Sequence, residues 1–329
     1  MGRLLVFNPE QEYSLASGSP WYLPPASIAR LAEKLRLLPI FWGETGDYIL
    51  DNNNLIYRIE PNGIELIDAG EGLPSFEEVD PWGWNQVLVK RLQKLGVDSS
   101  LIPNAEFIEN VRRLSHRRIS IDMNRYLHSP VIPKEFITAD GALAYWKENR
   151  NCYFKLPWSS GGRGVVDTKE LNATQVSEWV RGAIRKQGSV IGESAIDWAL
   201  QFATLWQLKE NEVIFEGFSL PLSDGRGKYK GNVTGDPIEI KNRISSHCAH
   251  PIDKVVRDQK SFIEERILPL YSGHLGIDMM ADKEGKVYPC VELNLRRTMG
   301  HVALAYSGMT EHEKRSIREY CQAPLFELS

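Results

Sequence analysis

The stretch GHLGIDMMADKEGKVYPCVELNLRRTMGH, residues 273–301, decides how the rest of the chain is interpreted. Its apolar segments predict a hairpin of two strands, residues 275–281 and 287–293, joined by a polar turn that contains a glycine. Because side chains two residues apart in a strand project to the same face, Glu292 and Asn294 point the same way.

A hairpin of this kind can place Asp278 alongside Glu292 and Asn294. Two carboxylates and an amide oxygen on one sheet face form the set of hard oxygen ligands that suits Mg²⁺. Arg296, two residues further along, shares that face and puts a cation beside the metal. A surface hairpin with solvated charges is the alternative, but acids embedded in apolar strands cost free energy unless they are paired or bound to a metal.

The motif Gly-x-x-Gly-Ile-Asp is followed by Val-Glu-Leu-Asn-Leu-Arg, with Glu292 fourteen residues after Asp278. This pattern resembles the C-terminal metal-binding hairpin of the ATP-grasp enzymes, a superfamily that includes D-alanine–D-alanine ligase, biotin carboxylase and glutathione synthetase. The resemblance implies that Asp278, Glu292 and Asn294 bind Mg²⁺, with Mn²⁺ as an alternative ion, and that Arg296 steadies a phosphorylated intermediate. Gly276 stands where D-alanine–D-alanine ligase carries an arginine, which disfavours that specificity.

A second element, CYFKLPWSSGGRGVV, spans residues 152–166. A predicted strand ending in Lys155 delivers an ammonium group toward a loop rich in serine and glycine, whose backbone N–H groups and hydroxyls can approach phosphates. Such a loop is equally often an ordinary turn, and no Gly-Lys-Ser/Thr closes it as in a Walker A loop. The lysine and loop resemble the ATP-grasp lid, which implies contacts to ATP phosphates from Lys155, Ser159, Ser160, Gly161, Gly162 and Gly164.

The resemblance implies further nucleotide contacts. ATP-grasp enzymes carry a lysine at the start of the helix that leads into the lid, and here Arg117 or Arg118 holds that place; we assign Arg118. This basic run also fits a solvated helix face. In the segment that joins the lid to the main sheet, Glu193 matches the acid at the start of the hinge, and Asp197 is a second ribose candidate. Either acid also fits an ordinary surface carboxylate.

Composition is that of a soluble globular enzyme. The 329 residues are 42% hydrophobic and 25% charged, and the net charge of −4 gives no electrostatic case for nucleic acid or an anionic membrane. No window approaches 18 uninterrupted apolar residues, so no membrane span is expected. The four cysteines are far apart and unpatterned, which favours the cytoplasm. The run His-Cys-Ala-His at residues 247–250 lacks a second ligand pair, so we expect no zinc site there.

The predicted fold class is α/β (α+β), an ATP-grasp fold preceded by an N-terminal parallel α/β domain. We expect this N-terminal domain over residues 1–105, a lid sub-domain with Lys155 over residues 106–193, and a C-terminal sub-domain with the metal site over residues 194–329.

Three local predictions concern single segments. Residues 10–25 are polar, aromatic and punctuated by glycine and proline, so they predict a long loop, either a ligand-binding loop or an ordinary surface loop. Residues 40–42 predict a strand. Residues 107–127 predict one helix with a basic middle.

The resemblance implies an ATP-dependent ligase with small-molecule substrates. A carboxylate attacks the γ-phosphate to give an acylphosphate and ADP, and an amine, or less often a thiol, then displaces phosphate. A kinase that phosphorylates a hydroxyl and a nucleotide-binding regulator without catalysis are the alternatives. Many relatives are dimers, so a homodimer is compatible with the resemblance, whereas no nucleic-acid or membrane partner is expected.

Overall fold

The computed structural model describes residues 2–61, 63–67, 72–159, 161–223, 229–318 and 325–327. Over these residues the strands form four sheets, each associated with one part of the chain. None of the helices in the described ranges is long and apolar enough to cross a bilayer.

The first sheet belongs to the N-terminal third of the chain. Its strands are β1 (Gly2–Val6), β2 (Tyr48–Leu50), β3 (Ile56–Glu60), β4 (Gly63–Ile67) and β5 (Phe76–Pro81). Their spatial order is β4-β3-β2-β1-β5, with β1 parallel to both of its neighbours and β3 antiparallel to both β2 and β4. The predicted α/β domain therefore has a parallel centre and an antiparallel edge, because short turns can join only antiparallel strands.

Two local predictions for this region are wrong. The segment 10–25 is not all loop, since it contains a short helix, Gln11–Ser17. Residues 40–42 do not form a strand. They belong mostly to a 3₁₀ helix, Leu38–Phe41, in which every side chain is buried. A short apolar run does not distinguish buried helix from buried strand. The helices here are α1 (Gln11–Ser17), α2 (Ala26–Lys34) and α3 (Gln86–Leu95), with a further 3₁₀ turn at Ser99–Leu101.

The predicted helix over residues 107–127 is broken into α4 (Ala105–Leu114) and α5 (Arg118–Tyr126). At the break, the backbone N–H of Arg117 donates to the carbonyl of Pro157 at 3.0 Å rather than to a carbonyl one turn earlier. A hydrogen bond to a distant segment thus replaces one within the helix. Both helices contribute side chains to the central core, among them Val111 and Met123.

The segment predicted to be the lid, residues 106–193, contributes an antiparallel sheet of spatial order β6-β9-β7-β8. Its strands are β6 (Lys134–Phe136), β7 (Cys152–Lys155), β8 (Val165–Asp167) and β9 (Val190–Ser194). The elements between the strands are α6 (Ala139–Glu148), a 3₁₀ turn at Thr168–Glu170, and α7 (Ala173–Gln187). An Asn172–Gln175 capping box begins α7, since each side chain accepts from the other residue's backbone N–H at 3.0 Å. Helices and sheet share a core built around Trp146, Phe154 and Val180.

The central sheet carries the hairpin. Its spatial order is β11-β10-β14-β15, antiparallel throughout, with strands β10 (Trp198–Lys209), β11 (Glu212–Ser219), β14 (Gly273–Asp282) and β15 (Val287–Asn294). A small sheet is formed by β12 (Pro221–Ser223), β13 (Tyr229–Thr234) and β16 (Leu325–Glu327). The remaining helices are α8 (Pro237–Ser245), α9 (Ile252–Arg266), α10 (Met299–Gly308) and α11 (Glu311–Arg318).

The largest core lies against the central sheet, where Phe262 and Ile263 of α9 meet Trp206 and Ile277. Helix α10 leaves the end of β15, and its Val302 packs with the core of the N-terminal sheet. The end of the hairpin is therefore held between two cores, and this junction carries the candidate site.

Candidate active site

The hairpin brings the three predicted metal ligands together. Asp278 and Glu292 are direct cross-strand partners in β14 and β15. The amide of Asn294 donates to Asp278 Oδ2 at 3.1 Å. Strand alternation is the reason: Glu292 and Asn294 are two apart, and the antiparallel register sets Asp278 opposite Glu292.

Asp278 is in an environment that disfavours a bare carboxylate. Burial, and then the neighbouring charge of Glu292, raises the pKa of the Asp278 carboxyl to about 7. The charge of Arg296 and the hydrogen bond from the Asn294 amide lower the pKa of Asp278, but by less. Two acids this close need a cation or a shared proton, so the donor set fits a divalent ion bound by oxygen.

The arginine predicted beside the metal set contacts it. Arg296 Nη2 donates to Asn294 Oδ1 at 2.9 Å. Its Nε donates to Glu12 Oε1 at 3.1 Å, and both side chains of this ion pair are about nine-tenths buried. Glu12 comes from α1, so the N-terminal domain reaches into the site across 284 residues of sequence.

Glu12 was not among the site residues predicted from the sequence, although residues 10–25 were predicted to form either a ligand-binding loop or an ordinary surface loop. The helix that presents Glu12 has only seven residues. A helix this short is marginal by propensity and is stabilised by packing, with Leu15 fully buried in the central core. The polar and aromatic composition of the segment carries no signal for that packing.

Arg117 also joins the site. Its Nη2 lies 2.5 Å from Glu292 Oε1, while its Nη1 donates to the hydroxyl of Ser159 and to the carbonyl of Leu156, each at 2.7 Å. The guanidinium is 7% exposed. One buried arginine thus connects the metal hairpin to the lid loop, a geometry that suits the planar guanidinium group.

Arg118, the residue assigned from the sequence, is not brought into this group. Its guanidinium is 58% exposed and forms a bidentate pair with Glu135 at 2.6 and 2.7 Å. The helix break explains the difference, because Arg117 is the N-cap residue of α5 and points inward, whereas Arg118 begins the helix on its outer side. The structure therefore brings Arg117, and not Arg118, into contact with both the hairpin and the glycine loop.

Lys155 and Glu193 form an ion pair inside the lid. Lys155 ends β7, Glu193 lies in the adjacent β9, and each side chain is about nine-tenths buried. Buried ions of opposite charge hold each other in place, because removing either partner leaves an uncompensated charge. The two predicted nucleotide contacts are thus neighbours.

The lid loop has the backbone expected for close approach to an anion. Gly161, Gly162 and Gly164 have φ angles of 61°, 72° and 75°, in the left-handed region that side chains disfavour. The Leu156 N–H donates to the Gly164 carbonyl at 2.7 Å and closes the loop. Ser159 lies at its start and bonds Arg117, whereas Ser160 lies outside the described residues.

Asp197 does not join Glu193 in any contact within the described ranges. Its carboxylate is 83% exposed and bonds Lys283, in the turn of the metal hairpin, at 2.8 Å. Of the two residues predicted to contact the ribose, Glu193 is therefore buried beside Lys155 and Asp197 is exposed to solvent.

Comparison with known proteins shows the fold. No family model matches the chain, and no curated protein matches its sequence. Biotin carboxylase from Campylobacter jejuni, solved as a βγ-ATP complex, aligns with a TM-score of 0.51 and 16% identity, over 73% of this chain and 54% of its own. D-alanyl-alanine synthetase A from Vibrio cholerae O1 aligns with a TM-score of 0.50 and 14% identity, over 97% of this chain and 98% of its own.

The biotin carboxylase domain of Hydrogenobacter thermophilus 2-oxoglutarate carboxylase, solved with MgADP and bicarbonate, has a TM-score of 0.50 and 16% identity, over 74% of this chain and 53% of its own. The chain thus spans about half the length of the two carboxylase structures. These are ATP-grasp proteins, and the predicted ATP-grasp fold is confirmed.

Proposed function

We propose that this chain, which has the ATP-grasp fold, is a Mg-ATP-dependent ligase that activates a carboxylate as an acylphosphate and joins it to an amine or thiol. One observation carries the proposal. Asp278, Glu292 and Asn294 meet two arginines, Arg117 and Arg296, each of which reaches the cluster from outside the hairpin.

The residues at the end of the hairpin fit Mg²⁺. Asp278, Glu292 and the Asn294 carbonyl oxygen would hold the ion, since an amide oxygen has a second lone pair beside the one that accepts from Arg296. Mg²⁺ would supply charge neutralisation for a transferring phosphoryl group. The solved relatives with βγ-ATP and MgADP support this assignment.

On the nucleotide side, we assign the phosphates to Lys155 and the glycine loop. Glu193 pairs with the Lys155 ammonium and orients it within the lid, and Arg117 fixes the start of the loop through Ser159. A loop tied to the metal ligand Glu292 by one arginine positions the γ-phosphate with little reorganisation, which is the main contribution that proteins make to phosphoryl transfer.

In the first chemical step, a carboxylate oxygen of the substrate attacks the γ-phosphorus and the bond to the β,γ-bridging oxygen breaks, which releases ADP. The amine nitrogen then attacks the acyl carbon, the carbon–oxygen bond to phosphate breaks, and the nitrogen loses a proton. Arg296, held by Glu12 and Asn294, places a fixed positive charge beside the oxygens on which negative charge accumulates.

The substrates of this reaction are small molecules. Gly276 stands where D-alanine–D-alanine ligase carries an arginine, which disfavours that specificity. A Cβ at residue 276 would lie 2.9 Å from Thr298 Cγ2, so Thr298 would have to shift to admit a side chain. Buried free thiols at Cys152 and Cys290 accord with our proposal of a reducing cytoplasmic location.

The test is ADP formation from Mg-ATP with pooled amino acids, peptides and other carboxylates. Glu292→Ala should lower turnover at least about 100-fold, because it removes a metal ligand and leaves Arg117 without its carboxylate. Glu284→Ala, an exposed glutamate in the turn of the same hairpin, is the matched control and should retain full turnover.

Phosphate release and product mass identify the reaction. A ligase consumes the amine and releases free phosphate, whereas a phosphorylated hydroxyl product would show a kinase instead. Retention of even a tenth of the rate by Glu292→Ala would contradict the metal assignment.

A further inference from the structure

A chain of hydrogen bonds leads from Arg296 away from the proposed active site. Two nitrogens of its guanidinium bond side chains of that site, and the third, Nη1, donates to the backbone carbonyl of Arg297 at 3.0 Å. The same peptide group carries the N–H of Thr298, which donates to Nδ1 of His301, also at 3.0 Å. Because a trans peptide group is planar, its carbonyl and its N–H point in opposite directions. One rigid group therefore connects the guanidinium of Arg296 to an imidazole of α10.

The bond from Thr298 fixes which nitrogen of His301 carries the proton. Nδ1 accepts the backbone N–H and lies 3.0 Å from the Thr298 hydroxyl, so its lone pair is occupied. Burial lowers the pKa of this imidazole to about 3, so the ring is neutral at pH 7 and its single proton is on Nε2. Nε2 lies 3.4 Å from Oε2 of Glu216, in the edge strand β11, and donates toward it.

A second imidazole holds the Glu216 carboxylate from β14. The side-chain amide nitrogen of Gln207 lies 3.3 Å from His274 Nε2 and donates to it, which leaves the proton of this ring on Nδ1. His274 Nδ1 in turn lies 3.2 Å from Glu216 Oε2. Burial lowers the pKa of His274 to about 3, so this ring too meets the carboxylate as a neutral donor. One carboxylate oxygen thus accepts from two imidazoles that belong to different elements.

Every donor in this chain points toward Glu216. The chain begins at a cation, passes through one peptide group and one imidazole, and ends at a carboxylate, and hydrogen bonds aligned in this way polarise one another. We propose that Glu216 and His301 are positioning residues that orient the guanidinium of Arg296 through the intervening peptide group. The inference rests on the proposed function, in which Arg296 lies beside the oxygens that gain negative charge.

Packing on both sides of the peptide group leaves one motion for the chain to control. The backbone N–H of Arg297 donates to the Trp82 carbonyl at 2.7 Å. The Thr298 methyl group lies over Gly276, where a Cβ would be 2.9 Å away from it. With both flanking residues anchored, the peptide plane can still rotate about the axis that joins its two Cα atoms. The hydrogen bond to His301 sets that rotation, and with it the direction of the carbonyl.

The first experiment detects the chain without turnover. In ¹⁵N NMR spectra of the full-length chain, labelled on histidine and arginine, we expect the proton of His301 on Nε2 and that of His274 on Nδ1. We also expect the Nε–H of Arg296 to exchange slowly with water, because it is buried and bonded to Glu12. Glu216→Leu should speed this exchange at least about tenfold. A proton on Nδ1 of His301, or unchanged exchange in the folded variant, would overturn the proposal.

The second experiment measures steady-state kinetics. Glu216→Leu and His301→Leu should each lower kcat about tenfold, the effect of one lost hydrogen bond, with KM for Mg-ATP unchanged. Glu212→Leu, at an exposed position of the same strand β11, is the control and should keep wild-type kinetics. A role in stability alone would lower the thermal midpoints of the two variants and leave kcat of the folded protein unchanged, which would refute positioning.

Two further variants test whether the residues act as one chain. The double variant Glu216→Leu/His301→Leu should lose no more kcat than either single variant, and additive losses would contradict a shared chain. His301→Gln should recover most of the kcat lost in His301→Leu, because a capping-box glutamine accepts the N-cap N–H and its amide also donates. No recovery in the folded His301→Gln variant would contradict the role given to the imidazole.

The two experiments separate this inference from the proposed function. If the wild-type chain forms no ADP with any substrate pool, the proposed function fails, and the exchange of the Arg296 Nε–H still decides whether Glu216 orients that side chain. If ADP forms and both the exchange and kcat are unaffected by Glu216→Leu, the function stands and the positioning role is refuted.

Discussion

The β14–β15 hairpin and the break between α4 and α5 meet at the contact of Glu292 with Arg117, and they differ in how they build the site. In the hairpin, regular alternation places Asp278, Glu292 and Asn294 where strand geometry requires them. At the break, two consecutive residues differ in direction, because Arg117 points inward and Arg118 points outward. The positions of side chains on regular strands follow from their spacing in the sequence, whereas the positions of the charges around them depend on local departures from regular structure.

The strongest test of this comparison replaces the two neighbouring arginines separately. Arg117→Met should lower kcat/KM by about 10²- to 10³-fold, because Glu292 and Ser159 lose the cation that links hairpin and lid. Arg118→Met should change it by less than about twofold, since exposed ion pairs contribute little. Steady-state kinetics of both variants measures kcat/KM, and their thermal midpoints check that they fold. Equal losses of kcat/KM in the two variants would contradict the different roles given to Arg117 and Arg118.

A second test concerns the contribution of the N-terminal domain. Glu12→Gln keeps the shape of the side chain but removes the charge that pairs with Arg296. We expect kcat to fall about tenfold, in line with the loss of one charge-assisted hydrogen bond, and KM for Mg-ATP to stay the same.

Ser17→Ala, at an exposed position on the same short helix, is the control and should have wild-type kinetics. A raised KM for Mg-ATP with unchanged kcat in Glu12→Gln would place Glu12 on the nucleotide side of the site instead.

The smallest expected effect concerns how the folding stability depends on pH through His116, a residue in the break between α4 and α5. His116 packs edge-on against Trp158 with ring centroids 4.4 Å apart, and burial lowers the pKa of its imidazole to about 4. Between pH 6.5 and 4 the unfolded chain therefore binds more protons than the folded chain at this residue. The contribution of the neutral His116 to the free energy of unfolding is therefore fully present above pH 6.5 and is lost as the pH falls toward 4.

His116→Gln removes this titration. Its thermal midpoint should fall less than that of the wild type between pH 7 and pH 5, as measured by circular dichroism in matched buffers. A steeper fall in the variant would show that His116 does not carry the pH dependence of this segment.

Features that depend on neighbours in sequence could be predicted. The fourteen-residue spacing of Asp278 and Glu292 is of this kind, and the resemblance that it supports predicted the confirmed fold. The resemblance also pointed to Lys155 and Glu193, which the structure places in contact.

Features that depend on distant partners could not be predicted. Glu12 belongs to a helix that exists because Leu15 is buried in a core built largely by the other half of the chain. His301 meets Glu216 and His274 only because α10 packs back on the sheet, while the more conspicuous His-Cys-Ala-His run lies elsewhere.

The sequence by itself predicted the hairpin and the glycine loop, and its resemblance to the ATP-grasp enzymes predicted the confirmed fold. The hairpin and the loop follow from a period of two residues and from turns, which act over a few positions. The tertiary structure decided which arginine faces Glu292, which acid holds Arg296, and that two histidines and a glutamate share a buried space. Burial and long-range packing set those choices, because the free energy of a charged or polar side chain depends on the groups that fold around it.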